Sequence, residues 1–413
     1  MQPLYRGLAG IDVHKKMLAV VVRWEREGHT EYQQRSFGTT QREIRHLTAW
    51  LQQLQVSEVV MESTAQYWRP VWYGLEAHVR LHLSHPLATR APRGRKTDFR
   101  DARRLVDRLW AGDLEESFVP EAEQRSWRWL TRTRVELKRK IGMVRSQVEG
   151  LLEEGGVKLA AVVSDVFGVS GWAMLEQMAQ GETDAATIAA QARGSLRHKR
   201  EPLQEALAGG LSPVGRFLLK QSLEQVRLLQ QQIAEIGAAL AVAMREHTAV
   251  LSRLARVPGV QVAAAQELLA EVGPGAAAFA SAAQFASWVG VCPGQQESAG
   301  VSYSSRSPKG NRYLRRLLCQ LGWAALRTKG TFFAGLFARL TPKLGAKAAA
   351  WAVAHRMSRV IWVLLRRGVD YLERGPAPQS PQRLMRKFRR LLLELSRAGL
   401  DASALLPPTR ATS

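Results

Sequence analysis

Cysteine is nearly absent: Cys292 and Cys319 are the two in 413 residues. That excludes a disulfide framework and a cysteine-built zinc site, and it suits a reducing cytoplasm. Long apolar runs are missing too. Nothing approaches the roughly 20 residues a membrane span requires, and the apolar run 236–244 is too short. The opening M-Q-P-L-Y-R-G lacks the apolar core of a signal peptide, so a cytoplasmic protein with no membrane partner is expected. Acid is the third shortage. Asp and Glu total 36 against 59 Lys and Arg, a net charge of +23. Such an excess draws polyanions by counterion release and long-range steering, nucleic acid first and an anionic membrane surface second.

What is present begins with apolar content of 46 %, enough for real cores and, at this length, two or three domains. The stretch L-A-G-I-D-V-H-K-K-M, residues 8–17, is an apolar run carrying one acid, Asp12. A buried, unpaired carboxylate is costly, so it meets a cation or a metal unless it is a strand-end Asp facing water. The following residues read as strands at 7–13, 17–24 and 31–37, a Thr40-capped helix to about 54, a strand at 58–61 ending in Glu62, a helix at 67–77 and a strand at 79–83. A basic loop, 90–96, contains Arg93, Arg95 and Lys96. Thr97 then opens a helix to about 110 that carries Asp98 and Asp101. Spacing of i,i+3 sets those two acids on one helix face.

Three strands, helix, strand, helix, strand, helix is the order of a ribonuclease-H-like mixed sheet. Asp12 and Glu62 then sit on adjacent central strands, and four acids from three elements can converge. Mg²⁺ or Mn²⁺ is the expected cofactor, since hard divalent ions take oxygen ligands and a phosphate completes the shell. Taken singly, Asp98 also serves as a first-turn complement to the helix dipole, and Glu62 as an exposed strand end.

Apolar residues at 137, 141, 144, 148 and 151, and at 219, 223, 226, 229, 233, 236 and 240, predict long coiled-coil arms around an insertion at 160–213. The arms serve either dimerisation or packing on their own domain. Around Pro258-Gly259 the pattern fits a helix-hairpin-helix and equally a plain helix–turn–helix connection. A Ser- and Gly-rich loop follows Gly290. It leads into Lys309, Gly310 and Asn311 and a helix with Arg312, Arg315 and Arg316, a ready phosphate cradle. No His–Asp pair flanks the loop, so a hydrolase triad is not indicated. Aromatics at 323–362 recur at helical spacing and read as core. The tail past 372 is Pro/Ser-rich, then basic, and reads as flexible.

The motifs G-I-D-V-H-K-K, V-M-E-S-T, K-T-D-F-R-D-A, V-P-G-V, E-S-A-G and P-K-G-N-R-Y-L-R-R-L-L together resemble the insertion-sequence one-ten family of transposases, relatives of the pilin-gene DNA invertases. The resemblance implies an α/β plus α protein. A RuvC-like DEDD metal-binding domain spans 1–115, coiled-coil arms 116–249, a mainly helical transposase domain 250–372 and a basic tail 373–413. It implies catalytic and metal-binding roles for Asp12, Glu62, Asp98 and Asp101, and a nucleophilic serine matching Ser298. Ala299 stands between Ser298 and Gly300 where the family has Ser-Gly, and Pro308 stands where a cation is usual, which leaves Ser302 and Ser304 as alternatives. Nucleic-acid contacts are expected from Arg93, Arg95, Lys96, Lys309, Gly310, Asn311, Arg312, Arg315 and Arg316. The implied partners are target and donor double-stranded DNA, a guiding bridge RNA, and further copies of the chain, as a dimer or a tetramer in synapsis. The implied location is the bacterial cytoplasm, at the nucleoid. A metal-only nuclease or junction resolvase, and a non-catalytic nucleic-acid binder, are the competing readings.

Overall fold

The computed structural model describes residues 7–26, 28–62, 65–84, 97–294, 296–298, 301–304, 307–376 and 381–397. Contacts divide the chain into two units, 1–121 and 122–413.

In the first unit a five-stranded mixed sheet has the order β3-β2-β1-β4-β5. Its strands are β1 (Gly7–Val13), β2 (Met17–Arg26), β3 (His29–Gly38), β4 (Val56–Glu62) and β5 (Arg80–Ser84). The three N-terminal strands form an antiparallel meander, whereas β1–β4 and β4–β5 are parallel. Helix α1 (Gln41–Gln53) starts at the N-cap Thr40. Thr40 accepts from the Glu43 N–H, and the Glu43 carboxylate accepts from the Gly38 N–H. With α2 (Trp68–Leu75) it covers one sheet face, where Ala9, Ile11, Val13, Val59 and Met61 meet Leu47, Leu51, Val71 and Leu75. Helix α3 (Asp98–Ala111) covers the other, setting Ala102 and Val106 against Leu8 and Val21. The order and placement of elements are those expected from the sequence.

Among its described residues, the second unit is helical apart from one ribbon. Helix α4 (Ala122–Glu154) packs along α9 (Pro213–Ala243) as a helical hairpin. Between them lie α5 (Leu159–Val162), α6 (Val169–Gln180), α7 (Ala185–Ala189) and α8 (Arg200–Ala206), which share a core with the far ends of both long helices. The rest comprises α10 (Thr248–Ala255), α11 (Val262–Val272), α12 (Ala282–Val289), a ribbon of β6 (Gln296–Ser298) and β7 (Val301–Ser304), α13 (Arg312–Leu326) and α14 (Phe332–Arg367), broken at Gly345. Of the aromatics at 323–362, Phe333 is buried in the core and Phe332, Phe337, Trp351 and Trp362 pack against it, as the spacing predicts, whereas Trp323 is exposed. Two expectations change. Part of the serine loop is a β-ribbon, and the basic tail carries helix α15 (Pro381–Arg397). Apolar residues recur there every three to four positions, at Phe388, Leu391, Leu392 and Leu395, which favours a helix over flexible chain. No helix among the described residues is long and apolar enough to cross a membrane.

Candidate metal centre and serine ribbon

Period two along β1 sends Leu8, Gly10 and Asp12 toward α3 while Ala9, Ile11 and Val13 enter the opposite core. On β4, Val59 and Met61 enter that same core, so Val60 and Glu62 turn to the α3 side. The last registered β1–β4 pair is Ile11 opposite Met61. Asp12 and Glu62 each follow it by one residue, on neighbouring parallel strands. Glycine is required at position 10. A Cβ there would collide with the Ala102 carbonyl oxygen and stand 2.9 Å from the Val106 nitrogen. This close approach lays the first turn of α3, with Asp98 and Asp101, over the end of β1.

Asp12 is 18 % exposed, and His14 and Asp98 about half exposed. His14 Nε2 lies 3.1 Å from Asp12 Oδ2 and 3.3 Å from Asp98 Oδ1. One donor atom from each of these three falls within 4.8 Å of the others, a set able to hold a metal ion. Burial pushes the Asp12 carboxyl above the ordinary range. The charge of His14 opposes that shift, while Asp101 and Asp98 add to it. Asp101 meets Arg104 at 3.1 Å. Glu62, half-buried and paired in register with Ser84, stands with Asp101 outside the tightest set. The oxygen-rich donors fit a hard divalent cation. His14 was not assigned a role from the sequence, although its position two residues past Asp12 put it on the same strand face. A second acid–histidine cluster was also missed. His82 gives one ring nitrogen to Glu58 and the other to Glu116, both at 2.8 Å. Its ring bridges two diverging carboxylates and straps the segment after α3 to the sheet.

In the second unit Ser298 ends β6, paired with Val301, while Ser302 and Ser304 lie on β7 opposite Glu297 and Gln296. The basic residues 93, 95 and 96 lie outside the described residues.

Two family models match. One, described as Transposase and labelled DEDD for IS110, covers residues 9–155; the other, Transposase IS116/IS110/IS902 family, covers 251–334. The chain belongs to the IS110 family of transposases. A probable family 20 transposase of Pseudomonas aeruginosa is 26 % identical over 332 residues, covering 78 % of this chain and 88 % of its own. A putative transposase of Sinorhizobium fredii is 31 % identical over 128 residues, covering 29 % of this chain and 32 % of its own. The transposase thus carries a DEDD-type, nuclease-like N-terminal domain.

The segment after the ribbon is held from inside the transposase. Gly310 abuts the backbone of Val289, where a Cβ would collide. Asn311 caps α13 by accepting from the N–H groups of Tyr313 and Leu314, and its amide donates to Glu271 at 2.9 Å. Arg315 donates to the Pro308 carbonyl and the Ser307 hydroxyl, and Arg316 to Glu267 at 2.9 Å. Glu271, 3 % exposed, also receives a two-pronged contact from Arg132 of α4 at 2.7 and 2.9 Å. Arg134 meets Gln266 and Glu267 beside it. Asn311, Arg315 and Arg316 are therefore engaged within the protein, whereas Lys309 is exposed and Arg312, also exposed, donates to the hydroxyl of the neighbouring Tyr313 at 2.7 Å. This buried hub needs three helices to meet, so no local motif announced it.

Proposed function

We propose that this transposase cuts and rejoins DNA with a divalent-cation site built from Asp12, Glu62, Asp98 and Asp101 and with Ser298 as nucleophile, under the guidance of a bridge RNA. The observation carrying the metal half is the convergence of Asp12 and Asp98 at the joint end of β1 and α3. A bound Mg²⁺ or Mn²⁺ supplies charge stabilisation for a phosphodiester under attack. Asp12, mostly buried among like charges, is a carboxylate whose surroundings favour a cation. The serine half rests on the match of E-S-A-G to the family motif. In that step the Ser298 Oγ–phosphorus bond forms as a P–O bond to deoxyribose breaks, and the serine proton ends on the freed sugar oxygen. Target and donor duplexes, the guide RNA and further copies of the chain complete the assembly, with sequence choice delegated to base pairing.

Incubation with DNA bearing the target and with the guide, followed by denaturing electrophoresis, tests both halves. The wild type forms a covalent protein–DNA adduct, and Ser298→Ala forms none. Asp12→Asn loses both cleavage and adduct. Normal cutting by Ser298→Ala would instead make the protein a metal-only nuclease. Unchanged recombination by Asp12→Asn would remove the metal site from the mechanism.

A further inference from the structure

We propose that His14 is a ligand of the cation held at Asp12 and Asp98, so that the ion bound in preference is one that accepts imidazole nitrogen, Mn²⁺ over Mg²⁺. This rests on the metal-centre reading above and adds to it a donor outside the four acids.

The first support is placement. His14 stands two residues past Asp12, where the strand period returns to the face under α3. The β1–β2 turn that carries it is tied at both sides. The His14 N–H donates to the Met17 carbonyl at 3.0 Å, and the Lys15 carbonyl accepts from the Thr39 hydroxyl at 3.1 Å. Its ring is thus presented from a fixed backbone.

Donor geometry is the second support. A single atom, Nε2, faces both Asp12 and Asp98, at 3.1 and 3.3 Å. Neighbouring donors around an octahedral ion, with bonds of about 2.1 Å, stand about 3 Å apart. A second acid-bridging histidine among the described residues makes the contrast. His82 uses opposite ring nitrogens for Glu58 and Glu116, so its carboxylates diverge and cannot share an ion.

The third is charge. Other acids on or beside α3 are matched by arginine: Asp101 by Arg104, Asp107 by Arg23 and Asp113 by Arg108. Among the described residues Asp12 and Asp98 pair with no Lys or Arg, only with His14. The open side, with His14 and Asp98 half exposed, leaves an approach for an ion and for a phosphate. Mg²⁺ holds to oxygen ligands, whereas Mn²⁺, equally at home with carboxylates but the first of the divalent transition-metal series, accepts an imidazole beside them more readily than Mg²⁺ does.

The test loads the full chain with Mn²⁺ and records pulsed electron paramagnetic resonance for ¹⁴N coupling, with binding titrated from the free-ion signal. The wild type should give imidazole nitrogen coupling. His14→Ala and His14→Gln should both lose it, bind Mn²⁺ about tenfold more weakly, and leave Mg²⁺ affinity within about twofold. Two variants guard against one failing to fold, which a thermal melt reports. Mn²⁺ bound without nitrogen coupling, or with affinity unchanged in both variants, overturns the proposal while leaving the acidic site standing. Mn²⁺ binding that survives Asp12→Asn would instead sink the metal-centre reading itself.

Discussion

At the residue scale, Glu267 is the sharpest test of what burial does to charge in this protein. It is paired with Arg316 and flanked by Arg134. Its carboxyl is nonetheless pushed above the ordinary carboxylate range, burial outweighing the arginines, and burial pulls the Arg134 guanidinium below its ordinary range. Glu267 and Arg134 are thus each pressed toward the neutral form, the mark of buried groups whose desolvation exceeds their mutual attraction. A raised acid favours the fold below the ordinary carboxylate range, and that contribution is lost as pH rises through the folded pKa. Glu267→Gln cannot titrate. The melting temperature of the wild type relative to Glu267→Gln should therefore fall between about pH 4 and pH 8. Thermal melts of both proteins across that range check it; a gap that widens with pH would mean that the ion pairs dominate.

At the scale of elements, the metal centre depends on how closely α3 lies on the sheet, and Gly10 sets that distance. Alanine at position 10 would drive its methyl into the backbone of Ala102 and Val106, neither of which can rotate away. The helix must lift, at a cost of about 1–3 kcal/mol or more. Asp98 and Asp101 lift with it. Gly10→Ala should lower the melting temperature and weaken divalent binding together, as a melt and a metal titration on the same sample would record. Stability lost with metal affinity intact would show that α3 does not position the site. The strands around Gly10 were legible because β1, β2 and β4 alternate or bury completely, and the acids were legible because each interrupts such a run. His14 follows from the same alternation, but beside Lys15 and Lys16 its residue type blends into a basic run, H-K-K. The Glu58–His82–Glu116 strap and the Glu271 hub were not legible. Their members are scattered along the chain, and only the register of β4 on β5 and the docking of α4 on α11 bring them together.

For the whole molecule, a net charge of +23 means that polyanion binding alone discriminates little. What discriminates is which cations are available. The sequence reads Lys309, Arg312, Arg315 and Arg316 as one phosphate cradle, but the fold divides them. Arg315 and Arg316 donate to Ser307, Pro308 and Glu267, while Lys309 and Arg312 are exposed. Cations that contact phosphate release counterions, and each contributes about one unit to the slope of log affinity against log salt. Replacing Lys309 or Arg312 by Ala should lower that slope by about one each on non-specific duplex, with the melting temperature nearly unchanged. Arg316→Ala should do the reverse. It leaves Glu267 buried with less compensation, at about 3 kcal/mol, so stability falls while the salt slope holds. Binding isotherms from about 50 to 200 mM salt, run beside melts of the three variants, separate the two groups. Equal slope losses for Lys309→Ala, Arg312→Ala and Arg316→Ala would mean that the hub opens on DNA and releases Arg316 to the phosphates.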